Sequence, residues 1–164
     1  MKLSDADAIV LELWNKLLPH CCNLSVAGSV RRRKSEVKDI ELVVIAKPYE
    51  SGLFEDGLAE VVNQWKKVKG EMEYGKVKYT QRILPQGIKL DLFFATPENF
   101  GYILMLRTGS SDWNQRVMLT RLKGNGYRTH EGSIWHKGLV WKVPDEETMF
   151  RCLGLEFVEP QNRI

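Results

Sequence analysis

Apolar residues Ile9, Val10, Leu13, Leu17 and Leu18 recur at helical spacing behind Ser4, with Asp5 and Asp7 in the first turn. This predicts a helix over about residues 5 to 18, stopped by Pro19. Leu24 to Ala27 is a short apolar run entering a Gly28-Ser29 turn, and Asp39 to Ala46 is a second strand ending at Pro48. Phe54 to Lys67 returns to helical spacing. Val77 to Leu84 alternates, Pro85-Gln86-Gly87 supplies a turn, and Ile88 to Ala95 is a strong strand, which together predict a hairpin. From Pro97 and Glu98 the pattern is helical to about Leu106, and again from Ser111 to Lys123, where Gly124-Asn125-Gly126 ends it. Small strands around Tyr127 to Arg128 and Leu139 to Val143 precede a final helix, Glu146 to Leu153, and an irregular tail. The expectation is an α+β protein in two lobes with a cleft between them. The boundary falls near Pro97, where a sheet-rich part gives way to a helical one.

Composition narrows the setting. The chain has 164 residues, 43% hydrophobic and 27% charged, and no apolar run approaches the roughly 18 to 20 residues a membrane span needs. Asp5, Asp7 and Glu12 interrupt the apolar positions of residues 1 to 24, so these read as an amphipathic helix rather than a leader. Three cysteines, Cys21, Cys22 and Cys152, suit neither a zinc site nor a disulfide framework, which points to a reducing, intracellular (cytoplasmic) home. A net charge of +3 names no partner. Its distribution says more, because Arg31, Arg32, Arg33, Lys34 and Lys38 fall within eight residues.

Beyond that basic run come the acids. Residues two apart on a strand share a face, so Asp39 and Glu41 project together while Ile40, Leu42 and Val44 bury the other side. On the strand Ile88 to Phe94, Lys89 and Asp91 share a face opposite Ile88, Leu90, Leu92 and Phe94. If the strands lie side by side, three carboxylates converge. Clustered carboxylates repel and are costly beside leucines unless compensated, and a divalent cation would compensate them. A lone Asp-x-Glu is usually a solvated strand end, whereas Asp91 within "IKLDLFF" is harder to dismiss. Gly28-Ser29 adds a turn whose N–H groups and hydroxyl can cradle an anion, followed by Arg31 and Arg32. Phosphate donors then stand on one side and metal ligands on the other.

"GSVRRR", "KDIE" and "KLDLF", in this order, resemble the palm of family X DNA polymerases within the nucleotidyltransferase superfamily. "RTGSSDWN" at residues 107 to 114 resembles that family's Thr-Gly-Ser motif, and "LGLEFVEPQNR" its closing Glu-Pro-x-x-Arg segment. The resemblance implies a nucleotidyltransferase palm of mixed sheet with helices on one face (residues 1 to 96) and a small helical thumb with a short sheet (residues 97 to 164). It implies that Asp39, Glu41 and Asp91 hold two Mg2+ ions, for which Mn2+ can substitute, with Asp91 helping to activate the primer 3′-hydroxyl. Gly28, Ser29 and Arg32 would grip the incoming nucleotide's β- and γ-phosphates, Thr108, Gly109 and Ser110 would line its sugar, and Asn114 would face its base. Lys89 would lie near the primer terminus, and Arg116, Arg121 and Lys123, otherwise a solvated face, would meet template phosphates.

Some residues depart from the family's pattern. Glu41 stands where an aspartate is usual, Lys38 where a glycine is usual, and Leu106-Arg107 where an aromatic pair is usual. The last implies a weaker steric check on a 2′-hydroxyl. The chain resembles the smallest viral members, palm and thumb alone. This implies a monomer performing short-gap or repair-type synthesis of low processivity on primer–template or gapped DNA with nucleoside triphosphates. Two rivals are a nucleotidyltransferase that modifies a small molecule or a protein, and a non-catalytic nucleic-acid-binding module. Among remaining residues, Trp113 reads as packing, Trp135 and Trp141 as cover for the thumb strands, and His20, His130 and His136 as surface.

Overall fold

The computed structural model describes residues 1–48, 57–72 and 78–164. α1 (Leu3–Leu17) buries Ala6, Ile9, Leu13 and Leu17, the stripe that its spacing sets out. The chain then passes through β1 (Cys21–Val26), the single turn α2 (Gly28–Arg31), β2 (Asp39–Ala46), α3 (Gly57–Asn63), β3 (Lys66–Lys69), β4 (Tyr79–Ile83) and β5 (Lys89–Phe94). These strands form a mixed sheet in the order β1-β2-β5-β4-β3, in which β2 and β5 are parallel and the other pairings antiparallel. Leu24, Ile40, Leu42, Val44, Leu90 and Leu92 face α1 and α3 and make one core with Leu58 and Val62.

The helix expected over 54 to 67 is shorter. It closes at Asn63, and residues 66 to 69 are the edge strand β3; residues 54 to 56 lie outside the described residues. Every residue of β3 is exposed, so no hydrophobic alternation marks it, and pairing with β4 decides its conformation. Val77, placed at the start of a strand by the sequence, also lies outside the described residues.

The second part comprises α4 (Phe100–Thr108), α5 (Ser111–Trp113) continuing through a π-helical stretch (Asn114–Leu119) into α6 (Thr120–Gly124), and then β6 (Tyr127–His130), β7 (Ser133–His136), β8 (Leu139–Trp141) and α7 (Glu146–Leu153). β7, absent from the sequence expectation, is the middle of this small antiparallel sheet. Its two hairpins turn on Glu131-Gly132 and Lys137-Gly138, all four at positive φ, the two-residue connection that fits the twist of paired strands. His136, expected at the surface, is half-buried, with ring centroids 4.4 Å from Tyr127 and 5.9 Å from Trp141.

A second core joins the two parts. Ala27, Val43 and Phe93, from the sheet face opposite α1, pack with Met105, Trp113, Met118, Met149 and Phe150. Beside it runs a buried charge chain. Arg31 donates to Glu146 at 2.9 and 2.7 Å, Arg163 donates to the same carboxylate at 2.5 and 3.3 Å, and Arg163 Nε donates to the Val158 carbonyl at 2.8 Å. Arg163 is fully buried, its guanidinium 5.1 Å from the Phe150 ring and 5.3 Å from that of Phe157.

Candidate active site

Strand register builds the site. Asp39 lies opposite Lys89 and Glu41 opposite Asp91 on the parallel pair, and alternation puts all four on the face away from α1 and α3, with Val43 and Phe93 one step further along. β4 continues the same rows, with Gln81 opposite Asp91, Ile83 opposite Lys89 and Tyr79 opposite Phe93. The three carboxylates therefore occupy adjacent positions of two neighbouring strands.

Asp91 is 8% exposed. Its Oδ1 accepts from the Tyr79 hydroxyl at 2.5 Å and from Gln81 Nε2 at 2.7 Å, and among the described residues Oδ2 has no hydrogen bond. Tyr79 stacks on Phe93 with centroids 5.0 Å apart, and the Arg107 guanidinium lies 4.0 Å over that ring. Burial first, and Asp91 second, push the Tyr79 phenol upward, so it stays a donor to the carboxylate.

The acids are electrostatically crowded. Burial, then the charges of Asp39 and Asp91, push Glu41 up to about 7. Asp39 is raised by burial and by Asp91, against the pull of Lys89, Lys38 and Arg32. Because Glu41 is raised when folded, its contribution to stability is fully present below the ordinary glutamate range and is lost as pH rises to about 7. The expected outcome is that Glu41→Gln raises the Tm of metal-free protein at pH 8.5 and leaves it near wild type at pH 4.5, as a calorimetric pair of scans would read.

Glu41 also touches the turn. A Cβ at Gly28, whose φ is +59°, would lie 1.8 Å from Glu41 Oε2, so only glycine lets the carboxylate lie against this backbone. Among the described residues, the Ser29 hydroxyl and Arg32 Nε are buried without a hydrogen-bond partner. Unsatisfied buried donors beside a carboxylate cluster are what a bound anion would complete.

The Thr-Gly-Ser segment adjoins this turn. Thr108 Oγ1 accepts from Arg31 Nη1 at 2.7 Å, and the Thr108 carbonyl accepts from Arg32 Nη1. Arg32 thus already has one nitrogen committed to the polypeptide. Ser110 caps α5 by accepting from the Trp113 N–H at 3.0 Å. Asn114 Nδ2 donates to the Leu106 carbonyl at 2.8 Å and leaves Oδ1 buried, without a partner among the described residues, close against Gly109. Arg116, Arg121 and Lys123 are exposed on the helical run from α5 to α6, with Arg116 2.8 Å from Asp112. Trp113 is buried, as its packing role requires.

Tyr79, Gln81, Glu146 and Arg163 are absent from the sequence-derived site, and Arg31, set among the phosphate donors by the sequence, instead bonds Thr108 and Glu146. Tyr79 and Gln81 were within reach. Leu84 N–H donates to the Ile88 carbonyl at 2.9 Å across the Pro85-Gln86-Gly87 turn, and counting back from it puts Gln81 opposite Asp91. Glu146 and Arg163 come from distant segments, and only the folded chain pairs them.

Among the described residues, no three His, Cys, Asp or Glu side chains stand in an array that could hold a metal ion. The donor types nevertheless suit a hard dication: three carboxylates, one with an uncommitted oxygen and one raised to about 7 by burial and by its two acidic neighbours, which added positive charge would offset. Among the described residues no helix is long and apolar enough to cross a membrane.

Residues 103–164 match the family model described as DNA polymerase beta thumb. That part of the chain is therefore similar to the thumb of DNA polymerases, which supports a relation to family X DNA polymerases and to DNA binding. Comparison with curated proteins gives no match.

Proposed function

We propose that this protein is a DNA polymerase of the family X type, with a nucleotidyltransferase palm in residues 1 to 96 and the thumb in 97 to 164, adding nucleotides to a primer 3′ end. The observation that carries the reading is the opposition of Glu41 and Asp91, with Asp39 two residues before Glu41, against a Gly28-Ser29 turn whose hydroxyl lacks a partner among the described residues. Its conjunction with a polymerase thumb supports nucleotide transfer to DNA rather than to a small molecule.

Asp39, Glu41 and Asp91 would hold two Mg2+ ions, or Mn2+ in their place, and such a pair when bound would supply charge neutralisation and Lewis-acid polarisation for phosphoryl transfer. The chain's own residues do the positioning. Gly28, Ser29 and Arg32 hold the β- and γ-phosphates; Thr108, Gly109 and Ser110 line the sugar; Asn114 faces the base. Asp91 takes the proton of the 3′-hydroxyl as that oxygen attacks the α-phosphorus and pyrophosphate leaves. Tyr79 and Gln81 fix its rotamer through Oδ1, which keeps Oδ2 for this work. Lys89 lies near the primer terminus, and Arg116, Arg121 and Lys123 meet template phosphates. The protein acts as a monomer in short-gap or repair-type synthesis of low processivity.

Labelled primer alone, primer on template and gapped duplex, each with nucleoside triphosphates and Mg2+ or Mn2+, test this. Extension of a paired or gapped primer is expected. No extension of any of the three under either ion would refute the reading.

A further inference from the structure

The rows that carry the acids do not stop at β4. On β3, Lys66 lies opposite Ile83 and, past a bulge-like irregularity in the register between Lys67 and Lys69, Lys69 lies opposite Gln81, which is how two lysines three positions apart come to share a face. Two rows therefore cross the sheet on one face: Glu41, Asp91, Gln81, Lys69, and beside it Asp39, Lys89, Ile83, Lys66. Lys66, Lys69 and Lys89 are all exposed. Lys67, opposite Arg82, belongs to the other face and is bonded to Glu71. Among the described residues, neither Lys66 nor Lys69 has an ion-pair partner.

Lysines on an edge strand discourage pairing with other chains. That accounts for charge on β3, but it does not require two of its three lysines to lie in register with the carboxylates. A row of cations continuing from a site for a strand's end is what a phosphodiester backbone would follow, with Ile83 offering an apolar patch between the charges for the sugars.

We propose that Lys66 and Lys69, continuing from Lys89, form a phosphate track for the strand whose 3′ end lies at Asp91; this rests on the polymerase reading above. Strand spacing sets the distance. Two spacings of about 4.8 Å separate β5 from β3, so Lys69 stands roughly 10 Å from Asp91 across the sheet. Along a duplex axis each strand advances about 3.4 Å per nucleotide, so a track running with that axis places the contact about three nucleotides before the end.

The test is the binding of fluorescent primer–template to the full chain, read by anisotropy over a range of salt. Lys66→Gln/Lys69→Gln should bind about tenfold or more weakly, and lose about 1.8 from the slope of log affinity against log salt, as two phosphate contacts on duplex would carry. Lys67→Gln should match wild type, and thermal melting should be unchanged in both. Neutral methylphosphonates at the third and fourth primer linkages should weaken wild type and have no added effect on the double variant; on the template strand they should affect both proteins alike. If wild type extends the primer but the lysine and linkage effects simply add, or couple on the template strand instead, the track is wrong and the polymerase reading stands. If wild type neither binds nor extends primer–template, the polymerase reading fails first, and this inference with it.

Discussion

Asp91→Asn should abolish nucleotide insertion, by about a thousandfold or more, while leaving the fold intact. A factor of that size corresponds to about 4 kcal/mol of barrier, the scale expected when a group acting on the reacting atoms is lost. The substitution is selective because an asparagine carbonyl oxygen can still accept from Tyr79 and Gln81, so the two bonds that orient the side chain survive. What disappears is the negative charge and the acceptor for the primer's proton. Removing one of three crowded carboxylates also relieves repulsion, so the Tm of metal-free protein should not fall. Single-turnover insertion beside a melting curve checks both halves, and appreciable retained insertion would refute the role given to Asp91.

The largest effect on stability should come from Glu146→Ala. This carboxylate holds Arg31 on one side and Arg163 on the other, and Arg163 has no exposed surface. Removing the shared anion leaves a buried guanidinium uncompensated, a loss of about 3–5 kcal/mol. In a chain of this length that lowers Tm by about 10 °C. The pH dependence follows from the same contacts. Burial works against the Glu146 charge, but hydrogen bonds from Arg31 and Arg163 outweigh it and hold the carboxyl below its ordinary range. A depressed folded value contributes stability that is present above the ordinary glutamate range and is lost as pH falls through the lowered one. Wild type should therefore lose Tm on acidification more steeply than Glu146→Gln. A change under about 2 °C in the alanine variant at pH 7 would show that the charge chain is not holding the two parts together.

Most elements were readable because their periodicity is strong. α1 shows a helical stripe, β5 is an apolar run interrupted by Asp91, and α7 opens on Asp145, whose side chain accepts from the Thr148 N–H at 2.6 Å. β3 and β7 were not. One is exposed along its length and the other is four residues between two tight turns, so tertiary pairing rather than local pattern defines each. The acids were legible because alternation fixes their face, and adjacency of β2 and β5 was the one assumption needed to bring them together. The contacts that orient Asp91 depended on hairpin register, and the tie through Glu146 joins residues 115 and 17 positions apart, a separation no local pattern encodes.

The most direct measurement is the number of Mn2+ ions bound per chain, counted by electron paramagnetic resonance at pH 8 with a non-hydrolysable nucleoside triphosphate present. Two ions for wild type, with loss of at least one in both Asp39→Asn and Asp91→Asn, is the predicted result. Binding no greater than the triphosphate carries by itself, or equal occupancy in wild type and both variants, would contradict it.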